Sequence, residues 1–119
     1  MRYIFIILFL LFGSQASSNQ VGDVFFCKMK ENLGWDWNDN KVVKYQLHEF
    51  KFTIVDEYKI KFGQGGTFDD YEMNIDNFVG NILVASSTTG RLAMKNNLFS
   101  FTTTSLDRAS VIAAICDKF

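Results

Sequence analysis

The sequence predicts an all-β domain, a small antiparallel meander of about eight strands that forms a barrel or a sandwich and is closed by one disulfide. Three observations predict this fold. Short stretches alternate apolar and polar residues, turn residues separate them at roughly 8–12-residue intervals, and two cysteines stand near opposite ends of the domain. Proline is absent and no Gly/Ser-rich or charged linker interrupts the pattern, which indicates a single domain without repeats.

The N-terminal segment indicates export. A basic residue precedes an apolar run of 9 residues at 4–12, and the small residues Ser14 and Ala16 follow at the −3 and −1 positions of a cleavage site. A helix that crosses a bilayer needs about 20 apolar residues. We therefore expect a signal peptide at 1–16 and a single exported β domain at 17–119, periplasmic or secreted, with no membrane anchor after cleavage.

The two cysteines are expected to form the disulfide Cys27–Cys116, because an exported protein meets an oxidising compartment and no other thiol is present. The bridge would join the first and last elements of the domain. Closing a loop of about 90 residues contributes roughly 4.5 kcal/mol in the chain-entropy model. Two free buried thiols are the alternative.

The first half of the domain shows three stretches of alternation. They predict strands at Val24–Met29, Val43–Leu47 and Phe50–Ile54. The phase of the alternation slips by one residue at 48–49, between the second and third of these strands. Such a slip in a period of two predicts a bulge or a tight bend.

Five further strands are predicted in the second half of the chain, with glycine-, serine- and asparagine-rich turns between several of them. They are Tyr58–Phe62, Tyr71–Ile75, Ile82–Ala85, Leu92–Met94 and Phe99–Thr103.

The C-terminal stretch allows two interpretations. As a strand, Val111–Cys116 is apolar on both faces and rich in β-branched residues, and Cys27 lies in a strand that can pair with it. As a helix, the stretch would turn the fold into an α+β domain. The residues on one face of that helix would be Leu106, Ala109, Ile112, Cys116 and Phe119. The strand is favoured.

Charge and ligand chemistry exclude several classes of function. The formal net charge is −1, and no cluster of Lys and Arg predicts binding to nucleic acid or to an anionic membrane surface. The chain has a single histidine, too few ligands for a zinc site. Residues 36–40 resemble the start of an EF-hand loop, but Lys41 stands where glycine is required and Leu47 where glutamate is required. We expect no metal and no cofactor.

Catalytic residues are not predicted. His48 is the single histidine, and no Gly-x-Ser-x-Gly elbow accompanies it. Asp70 and Glu72 fall on the polar face of an alternating strand, which a solvated edge explains without any chemistry.

Two tryptophans form the candidate binding site. Trp35 and Trp37 stand in a polar stretch that we interpret as a loop, where exposed indoles are expensive. They would either plug one end of a barrel or form a flat platform for a ligand. In the second case Asp36 and Asn38 would supply hydrogen bonds beside the rings.

Two resemblances add to this interpretation. The start Phe25-Phe26-Cys27, the Phe- and Lys-rich hairpins and the ending at 116–119, Cys-Asp-Lys-Phe, resemble short exported bacterial proteins of unknown function. The chain is also similar to periplasmic inhibitors of lysozyme. These are small barrels with a disulfide and an inhibitory loop that holds Ser, Gly and Tyr. Here Ser86–Arg91 offers Ser, Gly and Arg but no Tyr.

The expected function is that of a small exported binding or interaction module without enzymatic activity. Its partner would be an envelope protein, a peptide or a glycan. The alternative is an inhibitor of a cell-envelope hydrolase such as lysozyme. A third hypothesis is a hydrolase built around His48.

Overall fold

The computed structural model describes residues 19–119, so the predicted signal peptide at 1–16 lies outside the described residues. Within this range the chain forms strands and turns and no helix, hence no helix that could cross a membrane. The nine strands are β1 Val24–Asp36, β2 Lys41–Lys44, β3 Glu49–Ile54, β4 Lys59–Phe62, β5 Glu72–Val79, β6 Ile82–Ser86, β7 Gly90–Lys95, β8 Leu98–Thr104 and β9 Arg108–Lys118.

Eight of the strands close into an antiparallel barrel. Each strand from β3 to β9 pairs with the next, and β1 pairs with both β3 and β9 to complete the ring. The extra strand β2 pairs with the outer part of β1. The all-β prediction is confirmed. Of the two architectures that the sequence allowed, a barrel or a sandwich, the structure is a barrel. The C-terminal stretch is β9, so the alternative α+β fold is wrong.

The strand β1 is longer than the sequence predicted. We expected it to end at Met29 and expected Trp35 in a loop, but β1 continues to Asp36. A register shift between Met29 and Glu31 marks a bulge, after which β9 and β2 flank the strand on its two sides. These two neighbours provide the ladder for a polar stretch whose own alternation is weak.

The phase slip at 48–49 corresponds to a break between β2 and β3. Both strands lie on the same side of β1. The strand β3 pairs with the first part of β1, and β2 pairs with its last part. The connecting residues 45–48 belong to no strand, and the bulge of β1 lies opposite them. Backbone bonds from Tyr45 N to Asn32 O (2.8 Å) and from Met29 N to His48 O (3.1 Å) hold the break against β1. The structure therefore has a strand break at the position where the sequence predicted a bulge or a tight bend.

Two predicted strands have different bounds in the structure. The strand predicted at Val43–Leu47 is β2, which already ends at Lys44. Asp70 lies in a turn with a left-handed backbone (φ 52°), so it does not share a strand face with Glu72, the first residue of β5. Glu72 forms an ion pair with Lys59 instead (3.4 Å).

The barrel interior is packed with phenylalanine rings. Phe25 stacks on Phe52 with ring centroids 5.0 Å apart, and Phe62 stacks on Phe68 at 4.3 Å. Aliphatic and thioether side chains fill the space between the rings. The largest fully buried side chains are Phe52, Phe62, Ile54, Ile60, Met73, Leu83, Leu92, Met94, Cys27 and Cys116. Alternate residues of the barrel strands point into this core, as the period of two requires, whereas β2 contributes none.

The predicted disulfide is confirmed. Cys27 and Cys116 are directly opposite each other in the β1–β9 ladder, with Cα atoms 4.0 Å apart and both side chains buried. The bridge therefore joins the two strands that close the ring. A disulfide is consistent with an oxidising compartment.

The two ends of the barrel differ. One end, which we call the closed end, carries the β3–β4, β5–β6 and β7–β8 turns. Both ends of the described chain also lie there. Phe119 N donates to Val24 O (2.8 Å), and Asn19 N donates to Gly80 O (2.9 Å). The opposite end, which we call the mouth, carries the break at 45–48 and four loops. These are the β1–β2 turn at 37–40, the β4–β5 loop at 63–71, the β6–β7 turn at 87–89 and the β8–β9 turn at 105–107.

Candidate binding site at the barrel mouth

A cavity of about 590 Å³ lies in the mouth. One side is formed by the break, with Tyr45, Gln46 and His48, and the facing side by the β4–β5 loop. The barrel wall of β8 and β9 completes it. The cavity lies here because β3 bridges β1 and β4 only along the lower part of the barrel. Nearer the rim, β2 pairs with β1 and not with β4, which leaves space between them.

The β8–β9 wall has a gradient from apolar to polar. Phe101 and Ile112 are opposite each other in the ladder and form the floor of the cavity. One inward position nearer the rim, Thr103 and Ser110 are paired, and their hydroxyls are hydrogen-bonded to each other. Since alternate residues share a face, this arrangement follows from the sequence of the two strands. Arg108 lines the cavity at the rim.

The wall formed by the β4–β5 loop is tied to the β6–β7 turn. The Tyr71 hydroxyl is hydrogen-bonded to the hydroxyl of Ser87 and lies 3.0 Å from Oγ1 of Thr89. Ser87 Oγ also accepts a hydrogen bond from Gly90 N (3.1 Å). This network holds the hydroxyl groups of Tyr71 and Thr89 in place at one side of the cavity. Phe68 packs below them as part of the core.

The third wall depends on a glycine. A Cβ atom at position 34 would lie 2.7 Å from Cε2 of Tyr45, so only glycine in β1 lets the Tyr45 ring take this place. Next to it, Asn32 Nδ2 donates to Gln46 O (3.0 Å). Asn32 is the single buried polar side chain among the described residues. Its hydrogen bond stabilises the break that opens the mouth.

Arg108 brings a positive charge to the cavity. The single histidine, His48, also lines it, and no aspartate or glutamate does. Asp36 is opposite Arg108 in the β1–β9 ladder, but its Oδ1 accepts the backbone N–H groups of Asn38 (3.0 Å) and Asp39 (3.4 Å). Neither of the ion pairs found among residues 19–119 involves Arg108.

The predicted tryptophan site lies outside this cavity. Trp35 lines a shallow groove of about 270 Å³ with Leu33, Val42 and Val111, and Trp37 is 57% exposed. The two rings meet edge to face, with centroids 6.2 Å apart. Neither ring lines the mouth cavity. The buried Nε1 of Trp35 has no hydrogen-bond partner among the described residues.

The polar residues beside the tryptophans have a structural role. The Asp36 carboxylate holds the β1–β2 turn by accepting the Asn38 N–H. The four predicted site residues are therefore close together in the structure, but Asp36 is engaged by the chain's own backbone.

Among the residues that line the mouth, the sequence drew attention to His48 and, within Ser86–Arg91, to Thr89, but it did not identify the others. Tyr71, Thr103 and Arg108 come from three different parts of the chain, and no local motif connects them. The signal that was available is the alternation on β8, which places Thr103 on the same face as Phe101.

A second cavity of about 520 Å³ is lined by His48 as well and extends to residues 63–66. Within the described part of the chain, no group of His, Cys, Asp and Glu is arranged to hold a metal ion.

Comparison of the chain with known protein families, curated proteins and solved structures found no match.

Proposed function

We propose that the protein is an exported binding module, periplasmic or secreted, that takes a small polar ligand into the mouth of its barrel without transforming it. The observation that carries this proposal is the mouth cavity. Its volume of about 590 Å³ lies within the range of small-molecule sites, roughly 300–1,000 Å³. Hydrogen-bonding side chains on paired strands surround it, which is a preorganised arrangement.

The packing below the cavity limits the ligand. Phe68, Phe101 and Ile112 are buried at its floor, and the rings of the core fill the barrel beneath them. A long acyl chain would need an apolar channel along the barrel axis, whereas a compact polar molecule fits above the floor. The polar rim supplies the donors and acceptors that such a molecule requires.

Export is supported by two independent features. The order of charged, apolar and small residues at the N-terminus is that of a signal peptide. The buried disulfide that joins β1 to β9 suits a protein that folds in an oxidising compartment.

A pair of variants on one strand tests the proposal. Thr103→Phe would fill the cavity, while Thr102→Phe places the same ring on the outer face of β8, where residue 102 is exposed. The exported protein would be screened by thermal shift against amino acids, sugars, nucleotides, dicarboxylates and fatty acids. We expect a polar compound to raise the melting temperature of the wild type and of Thr102→Phe and to leave Thr103→Phe unchanged. Equal binding to both variants, or stabilisation by fatty acids alone, would contradict the proposal.

One contact favours inhibition of a cell-envelope hydrolase as a second candidate function. The Ser86–Arg91 segment lacks a tyrosine in sequence, but Tyr71 from the neighbouring loop is hydrogen-bonded to Ser87 and Thr89. This proximity of a tyrosine to the Ser86–Arg91 segment supports the candidate. A panel of lysozymes tests this candidate: inhibition by the wild type that weakens in Tyr71→Phe would support it, and an absence of inhibition would reject it.

A further inference from the structure

Arg108 is placed to receive a negative charge. It begins β9 at the rim of the mouth, and its side chain lines the cavity. The two nearby carboxylates are both engaged by their own turns. Asp36 accepts backbone N–H groups of the β1–β2 turn, and Asp107 accepts a hydrogen bond from Ser105 Oγ (3.0 Å). Arg108 is exposed and therefore free to reach into a cavity that no carboxylate lines.

The chemistry of a guanidinium selects the partner group. Its planar fork of N–H donors matches the two oxygens of a carboxylate or a phosphate, and it accepts no hydrogen bonds. A cavity with an apolar floor screens such an interaction less than open solvent does.

The rest of the cavity adds a second requirement. Hydroxyl groups lie on both sides of it, from Tyr71 and Thr89 on one wall and from Thr103 and Ser110 on the other. Hydroxyls both donate and accept, so they suit a ligand that is itself rich in hydroxyl groups. An amine-bearing ligand would lack a carboxylate to bind.

We infer that the mouth takes a small polyhydroxylated anion, with its carboxylate or phosphate on Arg108 and its hydroxyls on the side walls. A sugar acid and a sugar phosphate share this chemistry. The inference rests on the proposed function, because it specifies the ligand of the same cavity.

Titration with matched sugars tests the inference. The ¹⁵N-labelled exported protein at low ionic strength would be titrated with glucuronate, glucose 6-phosphate and glucose, and amide shifts followed by NMR. One or both anions should shift amides of β9 and of the β6–β7 turn and bind at least about tenfold more tightly than glucose, as expected of a charge-assisted hydrogen bond.

Variants separate the anionic contact from the cavity itself. Arg108→Gln should abolish the preference for the anion, and Arg108→Lys should restore part of it by keeping the charge without the fork. The control is Lys95→Gln, which removes one exposed positive charge at the other end of the barrel and should leave the preference intact.

The outcomes distinguish the two proposals. Binding that Thr103→Phe abolishes and Arg108→Gln leaves unchanged would keep the mouth as the ligand site and overturn the anion inference. Glucose binding as tightly as glucuronate and glucose 6-phosphate, or no shift with either anion, would also overturn it. Anion shifts confined to residues outside the mouth would overturn both proposals.

Discussion

The closed end and the mouth of the barrel are built from the same strands but differ in what their side chains do. On β8, Phe99 and Phe101 belong to the core, while Thr103 lines the mouth. On β9, Cys116 lies in the core and Ser110 in the mouth. The chemical character therefore changes along each strand rather than between strands. Core packing and the lining of the mouth cavity are thus separated along the barrel axis, so substitutions in one half should leave the other half largely intact.

The break at 45–48 is what makes the two halves different. Between β3 and β9 every strand pairs with both neighbours, whereas at the mouth β2 is displaced from the ring and β1 carries a bulge. Bulges are common beside functional sites because they redirect side chains and end pairing. Here the bulge and the break together leave room for the cavity.

Removal of the disulfide should have the largest effect on stability. A double variant, Cys27→Ala with Cys116→Ala, frees a loop whose ends are 89 residues apart and should lower the free energy of unfolding by about 4.5 kcal/mol. Urea denaturation measures it, with the reduced wild type as the control. A loss below about 1 kcal/mol would mean that the two chain ends are held together without the bridge.

Truncation of a core ring should cost nearly as much. Phe52 is fully buried and contacts the rings of Phe25, Phe62 and Phe99. Phe52→Ala should lower the free energy of unfolding by about 3–5 kcal/mol through lost packing and the cavity left behind. The exposed neighbour provides the control, since Lys51→Ala should change stability by about 0.5 kcal/mol or less. Similar losses for the two variants would remove the distinction between core and surface in this half.

A change at the mouth should affect stability much less. Tyr71→Phe removes a hydroxyl that is bonded to Ser87 and Thr89 and should cost about 1 kcal/mol. Tyr58→Phe, at a residue that is 74% exposed, is the matched control and should cost nothing measurable. Amide shifts of residues 87–89 should change in the first variant alone. If Tyr71→Phe cost as much as Phe52→Ala, the mouth would be part of the core and the division along the axis would fail.

The outer tryptophan should matter least for stability. Trp37 is more than half exposed, so Trp37→Ala should lower the free energy of unfolding by about 0.5 kcal/mol. If the tryptophan surface binds an envelope protein, a peptide or a glycan, as the sequence suggested, this variant should lose capture of that partner and keep its melting temperature. A stability loss of about 3 kcal/mol would assign the ring to the core. Normal stability with unchanged capture would reject the tryptophan surface as a binding site.

The fold could be predicted because its signals are local or unambiguous. The alternation of apolar and polar residues over 99–101 identifies Phe99 and Phe101 as inward residues, and a chain with two cysteines allows a single intramolecular pairing. The strand at Trp35 could not be predicted, because β9 and β2 impose it on a polar stretch with little preference of its own. The mouth was out of reach for a different reason. Tyr71 and Arg108 are 37 positions apart, and only the closure of the ring brings them to one cavity.

The position of the C-terminus has a practical consequence. Asn19, the first residue that the structure describes, and Phe119 both lie at the closed end, held by backbone bonds to Gly80 and Val24. A fusion partner, an affinity tag or a linker to a sensor surface attached at Phe119 would therefore project away from the mouth. A protein immobilised through its C-terminus would present the cavity to the flowing solution, and measurements on the tethered protein would report binding at the mouth without obstruction from the tether.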